Sequence, residues 1–523
     1  MYTIKYFANT TAVKTSAEQE IGKIIKDRFG IVLEYVPFTG DYREKCNLML
    51  ASGDYPDLVR MEREDIVQKY ISAGALVPLD DYLKDAPNFT ERYKDVIPYW
   101  RLSSNDKKLY KWESSVPVSG TLVEQTNHMI IRTDALEKEG WPKLLSEDDY
   151  YNFFKKTMQD IPTSNGKKTI GLTMPLGESW GTAGILGIMF EKGDEYNAAG
   201  GNEGVIFNIK TKKYEDYITN KYVKEGLQFF NRLYRDGLFD KECFTDKMGQ
   251  TVVKMNEGTA LGVWYCGWLV RNANNFLIKA GHPEMQYISL PVQSNTMVQQ
   301  GQKQQIQVEF VRSFDSVGIT KNAKDPARLF KLVDFFASEE GQILQQSGIE
   351  GQDYTIKDGK RVPTDTYMKM NRGELEDKSY SEKEGLQSFI LFSHCLVLGK
   401  DGVAYDMIAD PTIRDAGKTD RTKEAFKKLG WANASEWWVK NGVDDPLGIV
   451  PSIMIDPSSD IGSLYQKMTE LRVKTMPKLV MAKSDSDFEN IYKNMVDEYN
   501  KLPHQKAVDK FNEMYNAAMN KLK

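Results

Sequence analysis

Within its first 61 residues the chain reads strand, helix, strand, helix, strand, and that order admits few folds. Y-T-I-K-Y-F at 2 to 7 has strand alternation; Thr15 and Ser16 cap a helix with Glu18 and Gln19 in its first turn and Ile21, Ile24, Ile25 and Phe29 on its inner face. Gly30 ends that helix and I-V-L-E-Y-V-P-F forms a second strand. A helix from about Tyr42 to Ala51 then leads to the third strand, D-L-V-R-M. A helix between two strands returns the chain to the same sheet edge, so the strands run parallel and helices cover the sheet.

The alternation resumes at H-M-I-I-R near residue 127, where a second domain opens. D-A-L-E-K-E-G is helical, and a further helix begins at Ser146, with Glu147, Asp148 and Asp149 facing its positive end. I-G-L-T-M-P-L at 170 to 176 reads as a strand. Val223, Leu227, Phe230 and Tyr234 then line one face of a helix stopped by Gly237. S-V-G-I-T at 316 to 320 is a strand, and Asp325-Pro326 open a helix with Leu329, Leu332, Val333 and Phe336 inward and Gly341 as its stop. The Gln-rich stretch 299 to 307 reads as a surface loop or edge strand, and the C-terminal third as mostly helical. A chain of 523 residues exceeds what one core organises, so two or three domains are expected.

Composition excludes several classes. A net charge of -5 with no Lys/Arg cluster interleaved with aromatics leaves no footprint for nucleic acid. No apolar run approaches the roughly 18 to 20 residues of a membrane-spanning helix. Cys46, Cys243, Cys266 and Cys395 are far apart with no C-x-x-C, which argues against a zinc ribbon or a disulfide framework and for buried thiols. Four scattered histidines argue against a catalytic transition metal. Met1 runs straight into a strand, from which we expect that an export segment has been trimmed away.

G-E-S-W-G at 177 to 181 fits the G-x-S-x-G of a nucleophile elbow, which would make Ser179 the nucleophile of a secreted serine hydrolase or esterase. Such an enzyme needs a later histidine, and His282, His394 and His504 are the candidates, of which His394 alone has an apolar setting. No H-G-G-G-like oxyanion segment precedes Ser179, and Pro175 sits poorly in the central strand an elbow requires. A binding loop therefore fits the motif better, with Trp180 as its functional residue.

Six segments carry a resemblance: A-S-G-D-Y-P-D-L-V at 51 to 59, A-G-A-L-V-P-L-D-D-Y-L at 73 to 83, I-I-R-T-D-A-L-E-K-E-G at 130 to 140, F-F-N-R-L-Y-R-D-G-L-F-D at 229 to 240, M-N-E-G-T-A-L-G-V at 255 to 263, and S-E-E-G-Q-I-L-Q-Q-S-G-I-E-G-Q-D-Y at 338 to 354. In this order they resemble family 1 extracellular solute-binding proteins of ABC importers, in particular the large Gram-positive lipoprotein subgroup associated with oligosaccharides. The resemblance implies a two-lobed, periplasmic-binding-protein-like α/β fold of type II, with crossing strands and a ligand cleft between the lobes. It implies crossings near 125 to 130, 308 to 316 and 390, hence lobe 1 from 1–126 and 312–390 and lobe 2 from 127–311 and 391–523. The implied partners are an oligosaccharide and the permease subunits, on the cell surface, with membrane contact only through a lipid anchor absent from this chain.

A sugar cleft needs flat aromatic faces for C–H patches and fixed polar groups for hydroxyls. Trp180 and Trp264 are the leading candidates because glycines (Gly177, Gly181, Gly262, Gly267) flank them and leave the backbone open to approach. Tyr265 and Trp268 in G-V-W-Y-C-G-W-L, Trp112 after K-L-Y-K, and Glu350 between glycines complete the set, with Asp54 in the G-D-Y-P-D turn. Some relatives that bind alginate oligosaccharides carry a calcium loop before the I-G-L-T-type strand. Here Ile161 and Thr163 occupy its first acidic positions, Asn165-Gly166 alone persists, and the expectation is no calcium and no other cofactor.

Overall fold

The computed structural model describes residues 1–8, 14–114, 127–178, 195–197, 204–266, 268–310, 316–371, 375, 383–386, 397–416, 418–450, 453–456 and 458–522. The N-terminal run contains β1 (Tyr2–Phe7), α1 (Glu20–Phe29), β2 (Ile31–Tyr35), α2 (Tyr42–Ser52), β3 (Leu58–Met61), α3 (Glu64–Ser72) and β4 (Trp112–Glu113). Thr15 caps a short 3-10 turn, Ser16–Glu18, rather than α1, which begins at Glu20 after Gln19 without a side-chain cap. Gly30 closes α1 at φ 63 and Gly53 closes α2 at φ 73, both left-handed positions that a residue with a Cβ adopts at a cost.

The second run holds β5 (Asn127–Arg132), α4 (Glu147–Asp160), β6 (Ile170–Thr173), α5 (Lys221–Arg235), β7 (Ala260–Cys266) and β8 (Tyr287–Leu290). Ser146 caps α4 in a reciprocal box with Asp149, so two helix-end donors are satisfied at once. Then come β9 (Gln304–Phe310), β10 (Ser316–Ile319), α6 (Pro326–Ala337), α7 (Glu339–Ser347), β11 (Gly442–Gly448), α8 (Asp460–Val480), α9 (Asp485–Tyr499) and α10 (Gln505–Leu522). The Gln-rich stretch enters β9, which pairs in parallel with β11.

Two sheets organise the molecule. The first has the order β2-β1-β3-β10-β4, with β1 parallel to β2 and β3 and with β10 antiparallel to both its neighbours. The second has the order β8-β5-β7-β6, where only β7 and β6 run parallel. One core around the first sheet draws on Ile4, Leu33, Leu58, Phe89, Val317 and Phe336, so it joins the N-terminal run to the segment after β10. The core of the second joins Met129, Phe154, Leu172 and Phe230 to Met468, Leu479 and Phe488 of α8 and α9. Each lobe is thus assembled from distant stretches of chain.

Gly341 is a correction to the sequence reading. It does not stop α6, which ends at Ala337; Ser338 closes α6 and caps α7 by accepting from Gly341 N. A Cβ on Gly341 would lie 2.1 Å from Phe335 O, so glycine is required there by close packing of two helices.

Candidate functional site

The carboxyl ends of parallel strands gather loops at one edge of each sheet, which is where α/β proteins place ligands. In the first lobe that edge carries Phe7 stacked on Tyr42, ring centroids 4.5 Å apart, with half-buried Phe38 set edge-on to both. Tyr42 Oη donates to Arg60 O at 2.8 Å. Beside them Lys111 Nζ contacts Glu64 Oε2 at 2.8 Å and Glu113 Oε1 at 2.5 Å, and Ser316 Oγ donates to Glu113 Oε1 at 3.0 Å. All four are essentially buried, and they tie α3 to β4 and β10, the strands by which the chain leaves and re-enters this lobe.

In the second lobe the end of β6 is buttressed by a cation. Lys254 Nζ reaches Asp240 at 2.7 Å, Asp246 at 2.5 Å and Glu242 at 3.0 Å, while Thr173 Oγ1 donates to Asp240 at 2.6 Å. Burial alone would lower the Lys254 ammonium; its hydrogen bonds to Asp240, Asp246 and Glu242 outweigh that and hold it above the usual lysine range. The chain leaving β6 is pinned in turn, Gly177 N donating to Asp246 O and Glu178 Oε1 accepting from Met248 N.

Of the four glycines expected to open the backbone to ligand, Gly181 and Gly267 lie outside the described residues, and Gly177 and Gly262 serve internal packing. A Cβ on Gly177 would lie 2.4 Å from Thr245 O, and one on Gly262 would lie 2.6 Å from the Phe154 ring. Trp264 and Trp112, expected as sugar-facing aromatics, lie within β7 and β4, at 1% and 0% exposure. Trp264 faces the main second-lobe core and half-buried Tyr265 the opposite side of the sheet, as strand alternation requires. Trp268 opens the helix Trp268–Lys279 directly after β7.

Glu350 is exposed in the turn following α7, where Asp353 Oδ2 accepts from Ile349 N at 2.6 Å and fills the space beside Gly348. Exposed Asp54 lies before β3 and so at the amino edge of the first sheet, away from the carboxyl edge. The edge aromatics Phe7, Phe38 and Tyr42 escaped the sequence reading because tryptophan dominated it; phenylalanine in P-F-T-G-D-Y beside a strand end was the available signal.

Ser179, Trp180 and His394 lie outside the described residues. Of the other histidines, His282 lies 3.6 Å from Glu284 and His504 lies 3.1 Å from Asp216 and packs against Tyr499. Where related chains carry a calcium loop, Asn165 (φ 49) and Gly166 (φ 74) turn a tight hairpin, and Asn165 Nδ2 donates to Glu257 O. Among the described residues no group of three His, Cys, Asp or Glu side chains is arranged to hold a metal. Cys46 and Cys243 are buried free thiols.

Two α/β lobes, each built on its own sheet and joined where β4 ends and β10 begins, define a two-lobed binding protein. The family model for bacterial extracellular solute-binding proteins matches residues 20–349, and the chain belongs to that family. It is 25% identical over 356 residues to lipoprotein LipO of Bacillus subtilis, covering 65% of this chain and 64% of that protein. It is 24% identical over 275 residues to the fructooligosaccharide ABC transporter substrate-binding protein FusA of Streptococcus pneumoniae, covering 50% of this chain and 49% of that one. The match thus spans less than two-thirds of the length of either relative.

Among solved structures, alginate-binding protein AlgQ2 superposes with a TM-score of 0.67 at 17% identity over 98% of both chains. FusA in complex with kestose gives 0.65 at 17% identity, over 99% of this chain and 100% of that one. These likenesses establish the two-lobed fold.

Proposed function

We propose that this chain is an exported receptor that captures an oligosaccharide between its lobes and delivers it to an ABC importer permease without altering it. The observation that carries the reading is the pair of separate sheets whose cores are each assembled from both sides of the crossing, the arrangement required for hinge closure on a ligand. The lobes are assigned as 1–126 with 312–390 and 127–311 with 391–523. The relatives named for fructooligosaccharide and alginate support a glycan as ligand, and the lipoprotein LipO supports lipid anchoring.

Trp180, Trp268 and Tyr265 are assigned as the faces on which sugar rings stack, while Trp264 and Trp112 are buried in the cores of their own sheets. Glu350 is assigned as a carboxylate acceptor for hydroxyls, whereas Asp54 sits in the turn before β3, where the neighbouring Asp57 accepts from Lys5 N. The test is a thermal-shift screen with kestose, alginate oligosaccharides and Man5GlcNAc. Binding to the folded state alone raises Tm with the logarithm of ligand excess over Kd. One class should raise Tm, and Trp268→Ala should weaken that response by at least tenfold in Kd, the loss expected of a stacking platform. A full panel without a shift, or an unchanged Kd in Trp268→Ala, overturns the reading or its site respectively.

A further inference from the structure

Helices α4, α5 and α9 of the second lobe border a cavity of about 280 Å³, and none of its described lining residues is among those assigned to the sugar. Glu225, Phe229 and Arg232, spaced four and three apart, turn one face of α5 to it. Phe229 and Phe488 of α9 are each 2% exposed and give it an apolar wall, whereas Asp485 and Glu489 of α9 are exposed at its mouth. Glu147, the first residue of α4, adds a buried carboxylate.

Most of the charge around the cavity is matched in pairs. Arg232 reaches Asp148 at 2.6 Å, Lys224 reaches Glu489 at 2.8 Å and Arg235 reaches Asp485 at 2.7 Å. Half-buried Glu225 differs: its Oε1 accepts from Thr296 N and Oγ1, each at 3.0 Å, while its Oε2 has no donor and its charge no ion pair among the described residues. Asn231, 2% exposed, gives its Nδ2 hydrogens to Val480 O and Ala482 O at 2.9 and 2.7 Å. The group it leaves for the cavity is therefore its carbonyl oxygen, for which no described residue is a donor.

Two acceptor oxygens beside open space call for N–H or O–H donors, because an acceptor removed from water without a partner is costly. The Glu225 charge adds a demand that a neutral hydroxyl leaves unmet. A bare metal ion needs several carboxylates at coordinating distance, and no such group exists among the described residues. We propose that this cavity binds an organic cation, an alkylammonium or alkylguanidinium group, with its charged head on Glu225 Oε2 and Asn231 Oδ1 and its stem against Phe229 and Phe488. Such a head carries its donors on a positive centre, and its methylenes suit the apolar wall. The site is independent of the oligosaccharide reading. A free small molecule and a basic side chain of a partner protein both carry this group, and the test separates them.

Titration calorimetry on the full chain at low ionic strength, where charge pairing is least screened, takes agmatine, putrescine and acetyl-arginine amide as probes and calcium chloride as the control. At least one organic cation should bind at a single saturable site. Glu225→Gln keeps the acceptor for Thr296 and removes the charge, and should weaken that Kd about tenfold or more. Gln228→Lys, at an exposed position lining the same cavity, should abolish binding by supplying an ammonium from the protein itself, with Tm unchanged. Tighter binding of agmatine or putrescine supports the proposal with a free organic cation as ligand; tighter binding of acetyl-arginine amide supports it with a side chain. No binding of any probe, an equal response to calcium chloride, or a Kd unchanged in both variants overturns it.

Discussion

Glu384 is the residue whose ionisation most directly reports on the first lobe. It is 2% exposed, and burial first, then the charges of Asp353 and Glu20, push its carboxyl up to about 7 against the opposing pull of Lys383 and Lys23. The folded state therefore holds more protons than the unfolded chain between the ordinary glutamate value of 4.5 and about 7, and stability falls as pH rises through that window. Glu384→Gln cannot ionise, so its Tm should match wild type near pH 4, exceed it increasingly up to pH 7, and keep a constant advantage above. A difference independent of pH across melts from pH 4 to 8 would contradict this. Single residues were unevenly legible in the sequence. Caps such as Ser146 and Gly30 follow from local chemistry and could be read, whereas the packing of Gly262 against Phe154 depends on a helix distant in the chain and could not.

At the scale of elements, the alternation of strand and helix through residue 61 was readable because period and the glycine stops agree, although Thr15 caps the turn Ser16–Glu18 and not α1 itself. Two boundaries were not. The strand β7 continues through Trp264, Tyr265 and Cys266 because it pairs with β5 along its length, and that pairing overrides the loop suggested by nearby glycines. Helices α6 and α7 split at Ser338, since its side chain caps α7 while its backbone closes α6. The C-terminal helices are docked by polar contacts as well as by apolar ones. Buried Asn231 of α5 donates to Val480 O and Ala482 O at 2.9 and 2.7 Å, which satisfies carbonyls at the end of α8. Asn231→Ala should lower stability by about 2 kcal/mol, because two buried carbonyls lose their donor. Urea unfolding should show a lower midpoint with an unchanged slope; a midpoint within error of wild type would mean that this contact does not secure α8.

At the scale of the molecule, two sheets sharing no strand explain how one chain forms a cleft: β4 and β10 carry it out of and back into the first lobe, and the cluster of Lys111, Glu64, Glu113 and Ser316 fixes both strands at that point. A division into two or three domains was legible because 523 residues exceed what one core organises and the strand–helix alternation starts afresh near residue 127, while the two-lobed plan came from the resemblance carried by the six segments. The proposed ligand face was less legible, since the residues assigned to it stand far apart in the chain and no local pattern marks them. Isothermal titration calorimetry of the wild type with the glycan found by thermal shift tests the central claim most directly. The account predicts one saturable site per chain, with the signal returning to baseline after each injection. A sustained heat flow that scales with added glycan would reveal turnover and contradict a receptor that leaves its ligand unchanged.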